Sequence, residues 1–389
     1  MSINFDTEVS RLGTGAEKYE SRKSLFGKAD VEPFWVADMD LPSPPFLQQK
    51  LAERVAHPMF GYTTTPDSLL EAITWWWRHE HQAAVETDWI RLSPSVVTSI
   101  SLAVQSMSAP GDGVVILSPV YGPFFFSTEL NQRRILDVPL KIQEGQYTFD
   151  FDALQMCFEK NRPSLLFLCS PHNPGGRVWS EAELRRLAVL CNEYHVRIFS
   201  DEIHCDIVYA PYRHFSLLRI EEAKDICIVA HSIGKTFNAS GLCASLVVIP
   251  SPTIRKAFVH AQEQSHCGTV NLLGKAAMEV AFSNEGAAYK QALLAYLKNN
   301  VDHAVSALNQ IRDARIMTPQ ATFLVWCDFR AYGKWPAVMK KLIHQANVAL
   351  SGGTFFGTAG EGFFRLNIAH PSAPLLNAVS RIVETMNRE

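Results

Sequence analysis

The sequence predicts an α/β protein with a large domain, built on a mainly parallel sheet flanked by helices, and a small α+β domain. Three observations support this: short continuous apolar runs in the middle of the chain, amphipathic stretches between them, and a different pattern at both ends. Apolar runs without polar alternation are typical of strands buried on both faces. Helices between such strands indicate parallel pairing in an α/β layer fold.

The predicted strands of the large domain are apolar and β-rich, and they lie at 113–118, 165–170, 196–201, 226–232 and 245–249. A helix is predicted over 180–194, because Ser180 and Glu183 have the spacing of a capping box and apolar residues follow at helical spacing. A second helix is predicted over 96–107. The alternation of strand and helix is what indicates parallel strands.

The chain ends have a different pattern. The first 45 residues are rich in loop-forming residues and end in a proline cluster that begins at Pro42. A long helical stretch starts near residue 284, and it is followed by predicted strands at 323–329 and 362–368 and predicted helices around 335–347 and 373–387. We therefore expect a large domain over 46–283 and a small domain formed by 1–45 together with 284–389.

Composition and charge argue against several classes of protein. The 389 residues are 47% hydrophobic and 19% charged, and the formal net charge of -3 gives no basic footprint for nucleic acid. No apolar run approaches the roughly 20 residues of a membrane span, and the first residues lack a signal-peptide pattern. The eight cysteines include no C-x-x-C pair. We therefore expect a cytoplasmic protein with reduced thiols and no nucleic-acid or membrane partner.

A lysine follows the strand predicted at 226–232, in the sequence Ser-Ile-Gly-Lys that ends at Lys235. Alpha/beta folds bind ligands at the carboxyl ends of their parallel strands. Lysine at such a place commonly forms Schiff bases with carbonyl groups. Taken alone, the position is more typical of a solvated surface lysine, since most lysines after a strand are of that kind and S-x-x-K is a weak motif.

A carboxylate ends the preceding strand, in the sequence Asp-Glu-Ile-His from Asp201 to His204. Asp201 could pair with a protonated ring nitrogen of a cofactor, although a helix N-cap would also explain it. His204 is compatible with a core histidine or with a hydrogen-bond donor to the site. No histidine lies at ligand spacing from it, so no metal site is expected.

Two further polar residues stand where apolar or turn residues are expected. Asn173 follows the strand at 165–170, in a proline- and glycine-rich turn, and could donate a hydrogen bond to a phenolate oxygen. Arg365 lies within the apolar strand at 362–368, where an arginine needs a partner. A substrate carboxylate would be a bidentate partner, and a structural salt bridge is the alternative.

Taken together, Asn-Pro-Gly, Asp-x-x-His, Ser-x-x-Lys and Arg-Leu-Asn occur in this order, three of them at successive strand ends. In these motifs the chain resembles the fold-type I aminotransferase family (class I/II, aspartate-aminotransferase-like). It most resembles the branch of cystathionine β-lyases of the MalY/PatB type. The resemblance runs from about Trp35 to the C-terminus and implies the PLP-dependent transferase fold.

The resemblance implies pyridoxal 5′-phosphate (PLP) as the cofactor and assigns residues to its ring. Lys235 would form the Schiff base and move protons, and Asp201 would bind the pyridine nitrogen. Asn173 would contact the 3′-oxygen, together with His204, where many relatives have tyrosine. Tyr121 would stack on the ring; without the resemblance it is a core aromatic residue.

The resemblance also implies a phosphate site and a homodimer. The backbone N–H groups of Ser95, Val96 and Val97, at the start of the helix predicted over 96–107, would bind the phosphate together with the Ser232 hydroxyl. An ordinary N-cap serine is the alternative explanation of Ser95. Tyr62 would reach the phosphate of the neighbouring subunit, which predicts a homodimer with shared sites; without the resemblance Tyr62 is a surface aromatic residue.

For the substrate, the resemblance implies that Arg365, Asn173 and Ala37 bind an amino acid. Cys243 stands where many aminotransferases have a phosphate-binding arginine, and the MalY/PatB branch lacks that arginine too. Segments 35–40, 322–326 and 353–357 also resemble that branch. We therefore predict a carbon–sulfur β-lyase that converts an S-substituted L-cysteine (thioether, cysteine conjugate or sulfoxide) to pyruvate, ammonia and a sulfur product. An aminotransferase acting on a 2-oxo acid is the alternative, and a PLP-binding regulator is less favoured.

Overall fold

The computed structural model of the chain describes residues 3–388. Its strands, numbered in chain order, are β1 (Glu32–Pro33), β2 (Ile90–Ser93), β3 (Gly113–Ile116), β4 (Arg134–Asp137), β5 (Lys141–Gln143), β6 (Gln146–Thr148), β7 (Leu165–Cys169), β8 (Arg197–Asp201), β9 (Cys227–Ser232), β10 (Ser245–Val248), β11 (Arg315–Met317), β12 (Leu324–Asp328), β13 (Val348–Ala349), β14 (Ser351–Gly352) and β15 (Phe363–Asn367).

Its α-helices are α1 (Glu17–Glu20), α2 (Arg22–Phe26), α3 (Pro45–Ala56), α4 (Asp67–His81), α5 (Val96–Met107), α6 (Pro123–Leu130), α7 (Phe151–Asn161), α8 (Glu181–Glu193), α9 (Ile233–Thr236), α10 (Pro252–Gln264), α11 (Leu272–Ala281), α12 (Asn284–Leu308), α13 (Trp335–Lys341) and α14 (Ser372–Asn387). No helix among residues 3–388 is both long and apolar enough to cross a bilayer.

The central sheet has seven strands in the order β2-β10-β9-β8-β7-β3-β4. The strands from β9 through β8, β7 and β3 to β4 pair in parallel, and only β10 pairs antiparallel, with β9 and β2. The prediction of a mainly parallel sheet is therefore confirmed. Each of the five strands predicted for this sheet is present, with bounds that differ by at most two residues at either end.

Both faces of the sheet are buried, which explains the continuous apolar runs of the sequence. Side chains alternate along β7, β8 and β9 between two apolar cores. Ile198 and Val229 belong to the larger core, whereas Phe199 and Ile228 face the smaller one, which α5 and α10 cover. A parallel sheet covered in this way presents only its strand ends to a ligand.

The chain ends meet around a second, antiparallel sheet in the order β11-β12-β15-β14. The N-terminal strand β1 pairs in parallel with β13, and the long helix α12 packs against α14. The predicted helix at 335–347 begins at Trp335, but after Lys341 it continues as a π-helical turn over Leu342–Ala346. Asn347, in the left-handed conformation with a φ of 57°, ends it. The division into domains at residues 45 and 283 stays a prediction.

Candidate active site

The carboxyl ends of three neighbouring strands place the predicted site residues together. Cys169 of β7, Asp201 of β8 and Ala230 of β9 stand in register. Because the strands are parallel, the residues that follow them lie at one edge of the sheet. Asn173, Asp201 and Lys235 accordingly line a single cavity of about 190 Å³.

Lys235 is half-buried at this cavity and its amine has a backbone partner. Its Nζ donates a hydrogen bond of 2.6 Å to the carbonyl oxygen of Ala37, which also lines the cavity. Burial, and after it the positive charge of Arg365, lower the pKa of Lys235. Asp38 and Asp201 oppose this effect, and the resulting pKa is about 8. An amine with this pKa is partly neutral, and therefore nucleophilic, near neutral pH.

Asp201 is buried, with 3% of its surface exposed. Its Oδ1 accepts a hydrogen bond of 3.1 Å from the backbone N–H of Ile203, and its Oδ2 has no hydrogen-bond partner among residues 3–388. Burial raises the pKa of Asp201 to about 6, despite that hydrogen bond and the positive charge of Lys235. A cationic group in the cavity would relieve this burial of negative charge.

Arg365 is a buried guanidinium without a carboxylate partner. One nitrogen donates to Asn173 Oδ1 at 3.1 Å, and the other donates to the Trp35 carbonyl at 2.8 Å and to Ser351 Oγ at 3.2 Å. Its Nε has no partner, and no Asp or Glu oxygen in the described part of the chain lies within 4.0 Å of it. Burial lowers the pKa of Arg365 to about 10, so it remains charged at neutral pH. The structural salt bridge that was the alternative explanation is thus not present among residues 3–388.

The N-terminus of α5 forms one wall of the cavity through Ser95, Val96 and Val97. Ser95 is the N-cap of this helix, because its Oγ accepts a hydrogen bond of 3.0 Å from the N–H of Thr98. Ser232 lines the cavity too, but its hydroxyl donates to the Ala244 carbonyl at 2.8 Å and accepts from the N–H of Gly234. In this arrangement the helix N-terminus, rather than the Ser232 hydroxyl, offers free donors to an anion.

Tyr121 and His204 also border the cavity. His204 is buried and its Nδ1 has no hydrogen-bond partner among the described residues. Burial, together with the positive charges of Lys235 and Arg365, lowers the pKa of His204 well below its usual value, so the ring is neutral. Burial raises the pKa of Tyr121 to about 12, which keeps its hydroxyl protonated.

The segment that carries Ala37 is fixed by a buried charge network that the sequence did not reveal. Lys18 is fully buried, and its Nζ lies 2.7 Å from an Asp40 oxygen and 3.4 Å from an Asp38 oxygen. Arg11 binds the same two carboxylates. Lys18 belongs to a short helix within a loop-rich part of the sequence, where no apolar pattern marks it as buried. Ser351, whose hydroxyl accepts a hydrogen bond from Arg365, was not predicted as a site residue either.

Two predicted site residues are not part of the cavity lining: Arg365, which hydrogen-bonds the lining residue Asn173, and Tyr62. Tyr62 has no such link to the cavity within this chain. Its side chain is fully exposed, as are large parts of Met59 and Phe60, in the loop between α3 and α4. The cavity has further lining residues that sequence reasoning did not select. They are small or apolar, without any chemical signal: Pro94, Cys169, Ile203, Ser240 and Ala244.

Comparison with known proteins identifies the family. Residues 36–382 match the sequence model of a protein family described as aminotransferase class I and II. The chain belongs to this family. Within it, the chain is 37% identical to cystathionine beta-lyase PatB of Bacillus subtilis over 383 residues, 98% of this chain and 99% of PatB. It is 31% identical to protein MalY of Escherichia coli, with 99% of each chain covered.

Solved structures of the aminotransferase class I and II fold agree with this membership. Cystalysin from Treponema denticola, whose structure contains pyridoxal 5′-phosphate, superposes with a TM-score of 0.95 at 30% identity, covering 99% of each chain. The PLP-bound C-S lyase from Staphylococcus hominis superposes with a TM-score of 0.93 at 28% identity, covering 100% of this chain and 99% of the other. The predicted fold and the predicted resemblance are therefore confirmed.

Proposed function

We propose that this chain is a PLP-dependent carbon–sulfur β-lyase that acts on an S-substituted L-cysteine. The observation that carries the proposal is the buried guanidinium of Arg365, which has no carboxylate partner among residues 3–388 and hydrogen-bonds Asn173 at the cavity that Lys235 and Asp201 share. Such an arginine suits the α-carboxylate of an amino acid, because a guanidinium binds a carboxylate through two parallel hydrogen bonds. The small-molecule partner is thus an amino acid.

The residues around the cavity fit pyridoxal phosphate. The cofactor has an aldehyde, a basic ring nitrogen and a phosphate, and the cavity has an amine of lowered pKa, a buried carboxylate with a free oxygen, and a helix N-terminus. Lys235 would bind the aldehyde, Asp201 the ring nitrogen, and the N–H groups of Ser95, Val96 and Val97 the phosphate. Tyr121 would stack on the ring, and Asn173 and the neutral His204 would face the 3′-oxygen.

When bound, the cofactor supplies an electron sink that stabilises negative charge at the Cα of the amino acid. Lys235 removes the Cα proton, since burial makes its amine a base near neutral pH. Arg365 holds the carboxylate and thereby orients the Cα–H bond toward Lys235. The same amine then delivers a proton to the sulfur that leaves Cβ. Ala37, whose carbonyl accepts from Lys235, keeps the amine at this edge of the cavity.

The relatives favour elimination over amino transfer. Both PatB and the Corynebacterium glutamicum relative, which is 29% identical, are named cystathionine beta-lyase. An aminotransferase remains the second candidate, because an LL-diaminopimelate aminotransferase of Nitratidesulfovibrio vulgaris is 26% identical over 380 residues. Lys235, Asp201 and Asn173 serve both reactions, so they do not distinguish between them.

A pair of substrates separates the two candidates. The enzyme is incubated with an S-substituted L-cysteine and, separately, with L-alanine, which has the same Cα but no leaving group on Cβ. Both incubations are run with and without a 2-oxo acid. A lyase releases pyruvate and ammonia from the first substrate alone, without the oxo acid. Oxo-acid-dependent amino transfer from both substrates would support the aminotransferase instead.

For the assembly, we propose a cytoplasmic homodimer with shared active sites. The loop that carries Met59, Phe60 and Tyr62 is apolar and exposed in the single chain. Such a surface is typical of an interface between subunits. Tyr62 would cross this interface to the phosphate held at the N-terminus of α5 in the other subunit. The absence of a C-x-x-C pair and the buried free thiols are in keeping with a reducing compartment.

A further inference from the structure

A second cluster of chemically active side chains lies outside the cofactor cavity. It joins His81, the last residue of α4, to Cys205 and Asp206 in the turn that follows β8. All three residues are buried. The Nε2 of His81 lies 3.4 Å from Cys205 Sγ and 2.9 Å from Asp206 Oδ1, so one ring nitrogen faces both the sulfur and the carboxylate.

These separations are close to those of ligands around one zinc ion. With metal–ligand bonds of about 2.0 to 2.3 Å, the ligand atoms of a tetrahedral zinc site lie roughly 3.3 to 3.7 Å apart. The nitrogen–sulfur distance falls in this range, and the nitrogen–oxygen distance needs to open by a few tenths of an ångström. The three ligand atoms all lie within 4.8 Å of one another, so one ion could contact all of them after a small adjustment.

The charges of the cluster also suit a divalent cation. A thiolate, a carboxylate and a neutral imidazole together balance two positive charges. A metal ion that binds them displaces the proton of the Cys205 thiol.

Neighbouring residues donate hydrogen bonds to the Asp206 carboxylate, and the cluster borders a cavity. Trp76 donates to Asp206 Oδ1 at 3.0 Å, and Thr236 donates to Oδ2 at 2.8 Å, so the carboxylate is oriented from behind. Ligands of protein metal sites are typically held in this way. The three cluster residues are among those that line a cavity of about 850 Å³.

We propose that His81, Cys205 and Asp206 form a binding site for one Zn²⁺ ion, separate from the cofactor cavity. A mixed nitrogen, sulfur and oxygen donor set favours zinc over the hard cations Mg²⁺ and Ca²⁺, which take oxygen ligands. No sequence motif indicates this site, because His81 lies more than a hundred positions before the other two ligands. The Thr236 contact joins the site to the residue that follows Lys235, so an ion here stabilises that turn.

The test measures zinc binding to the holoenzyme. The protein is treated with a chelator, desalted, and titrated with ZnCl₂ in competition with a chromophoric chelator, in the absence of amino acids. The expected result is one ion per chain. Cys205→Ser is expected to weaken binding at least about 100-fold, since it removes a ligand. Cys243→Ser is the matched control: it removes an exposed thiol and should bind zinc like the unchanged protein.

A second measurement does not depend on any variant folding. X-ray absorption at the zinc edge of the loaded, unchanged holoenzyme should show one sulfur at about 2.3 Å and nitrogen or oxygen ligands at about 2.0 to 2.2 Å. A zinc ion without a sulfur ligand, a chain that takes up no zinc, or equal affinity in folded Cys205→Ser would each overturn the proposal. Zinc bound to the cofactor itself would give that sulfur-free spectrum.

Discussion

At the scale of single residues, burial shifts the pKa values of two groups on which the proposed chemistry depends. It lowers the pKa of Lys235 to about 8 and raises that of Asp201 to about 6. Each shift costs stability in the cofactor-free chain, because a charged group is held away from water. Strongly shifted pKa values are concentrated at functional sites. The two residues are therefore best explained as parts of a binding site and not of the structural core.

Asp201 gives a prediction about stability and pH. An acid whose folded pKa is raised from 3.8 to about 6 favours the folded state while it is protonated, and this advantage is lost as the pH rises from 3.8 to 6. Above pH 6 the ionised carboxylate thus costs the cofactor-free protein about 3 kcal/mol. Asp201→Asn should raise the Tm of cofactor-free protein at pH 7, while kcat of the cofactor-loaded enzyme falls.

The comparison is made by thermal unfolding at pH 5 and pH 7. The gain in Tm should be larger at pH 7, because at pH 5 Asp201 is mostly protonated. Asp313→Asn, in an exposed turn, is the control and should change little at either pH. A cofactor-free Asp201→Asn protein that is less stable than the unchanged chain at pH 7 would contradict this account.

Arg365 gives a prediction about substrate binding. Arg365→Lys keeps the positive charge but loses the planar pair of N–H donors, so kcat/KM should fall by about 10²-fold or more. The absorption spectrum of the bound cofactor should stay nearly unchanged, since Arg365 hydrogen-bonds neither Lys235 nor Asp201, the residues assigned to the aldehyde and the ring nitrogen. Unaltered kinetics would mean that Arg365 is structural only.

The residues that the sequence predicted were those that carry a chemical signal at a strand end. Lys235, Asp201 and Asn173 follow or end buried strands, and strand ends could be read from apolar runs. Lys18 contacts His370 and Ser351 donates to the Trp35 carbonyl, so both orient the site through residues far away in the chain. Contacts of that kind depend on how distant segments of the chain pack together, and no local sequence pattern predicts them.

At the scale of elements, the sequence predicted the central strands and several helices well, but it did not predict the order of the strands within the sheet. Ser180 and Glu183 form the predicted capping box, and α5 has the predicted bounds 96–107. Short strands with partly exposed side chains, such as β4, were missed, because they lack a continuous apolar run. The antiparallel insertion of β10 between β9 and β2 was missed too, since strand order depends on long-range packing.

Two helix N-caps give a matched pair of predictions. Ser95 and Ser180 each accept a hydrogen bond from the N–H three residues on, at 3.0 and 3.2 Å. Replacing either by Ala should therefore reduce the free energy of unfolding by about 1 kcal/mol. Only Ser95→Ala should also weaken cofactor affinity, because only α5 begins at the cavity.

The pair is measured by chemical denaturation and by cofactor titration of the cofactor-free protein. Ser180→Ala serves as the control for stability alone. If the two variants bound the cofactor equally well, the cap that the Ser95 hydroxyl forms would not contribute to the phosphate site.

At the scale of the whole molecule, segments from the two chain ends lie side by side, as the pairing of β1 with β13 shows. The sequence indicated this only through the change of pattern at both ends. Tyr62 stands apart from the cavity of its own chain and is fully exposed. The proposed dimer gives it a role, because it would complete the site of the partner.

Subunit mixing tests the shared site. The double variant Tyr62→Phe/Lys235→Ala is mixed with unchanged protein under conditions that exchange subunits. If Tyr62 acts across the interface, each hybrid dimer has damage at both sites, and its activity should fall well below half of that of the unchanged dimer. The complementary mixture of Tyr62→Phe with Lys235→Ala should recover one undamaged site. A hybrid of the double variant that keeps half of the activity would contradict sharing.

The central claim is that the chain eliminates a sulfur group and does not transfer an amino group. Elimination restores the cofactor in its aldehyde form, whereas transfer leaves it in the amine form until an oxo acid is supplied. The most direct measurement is the number of pyruvate molecules formed per bound cofactor when an S-substituted L-cysteine is supplied without an oxo acid. The absorbance of the cofactor is followed in the same cuvette. We predict many turnovers with a lasting aldehyde spectrum and equal amounts of ammonia and sulfur product. A panel of thioether and sulfoxide substrates that all stop after one turnover, with conversion to the amine spectrum, would contradict it.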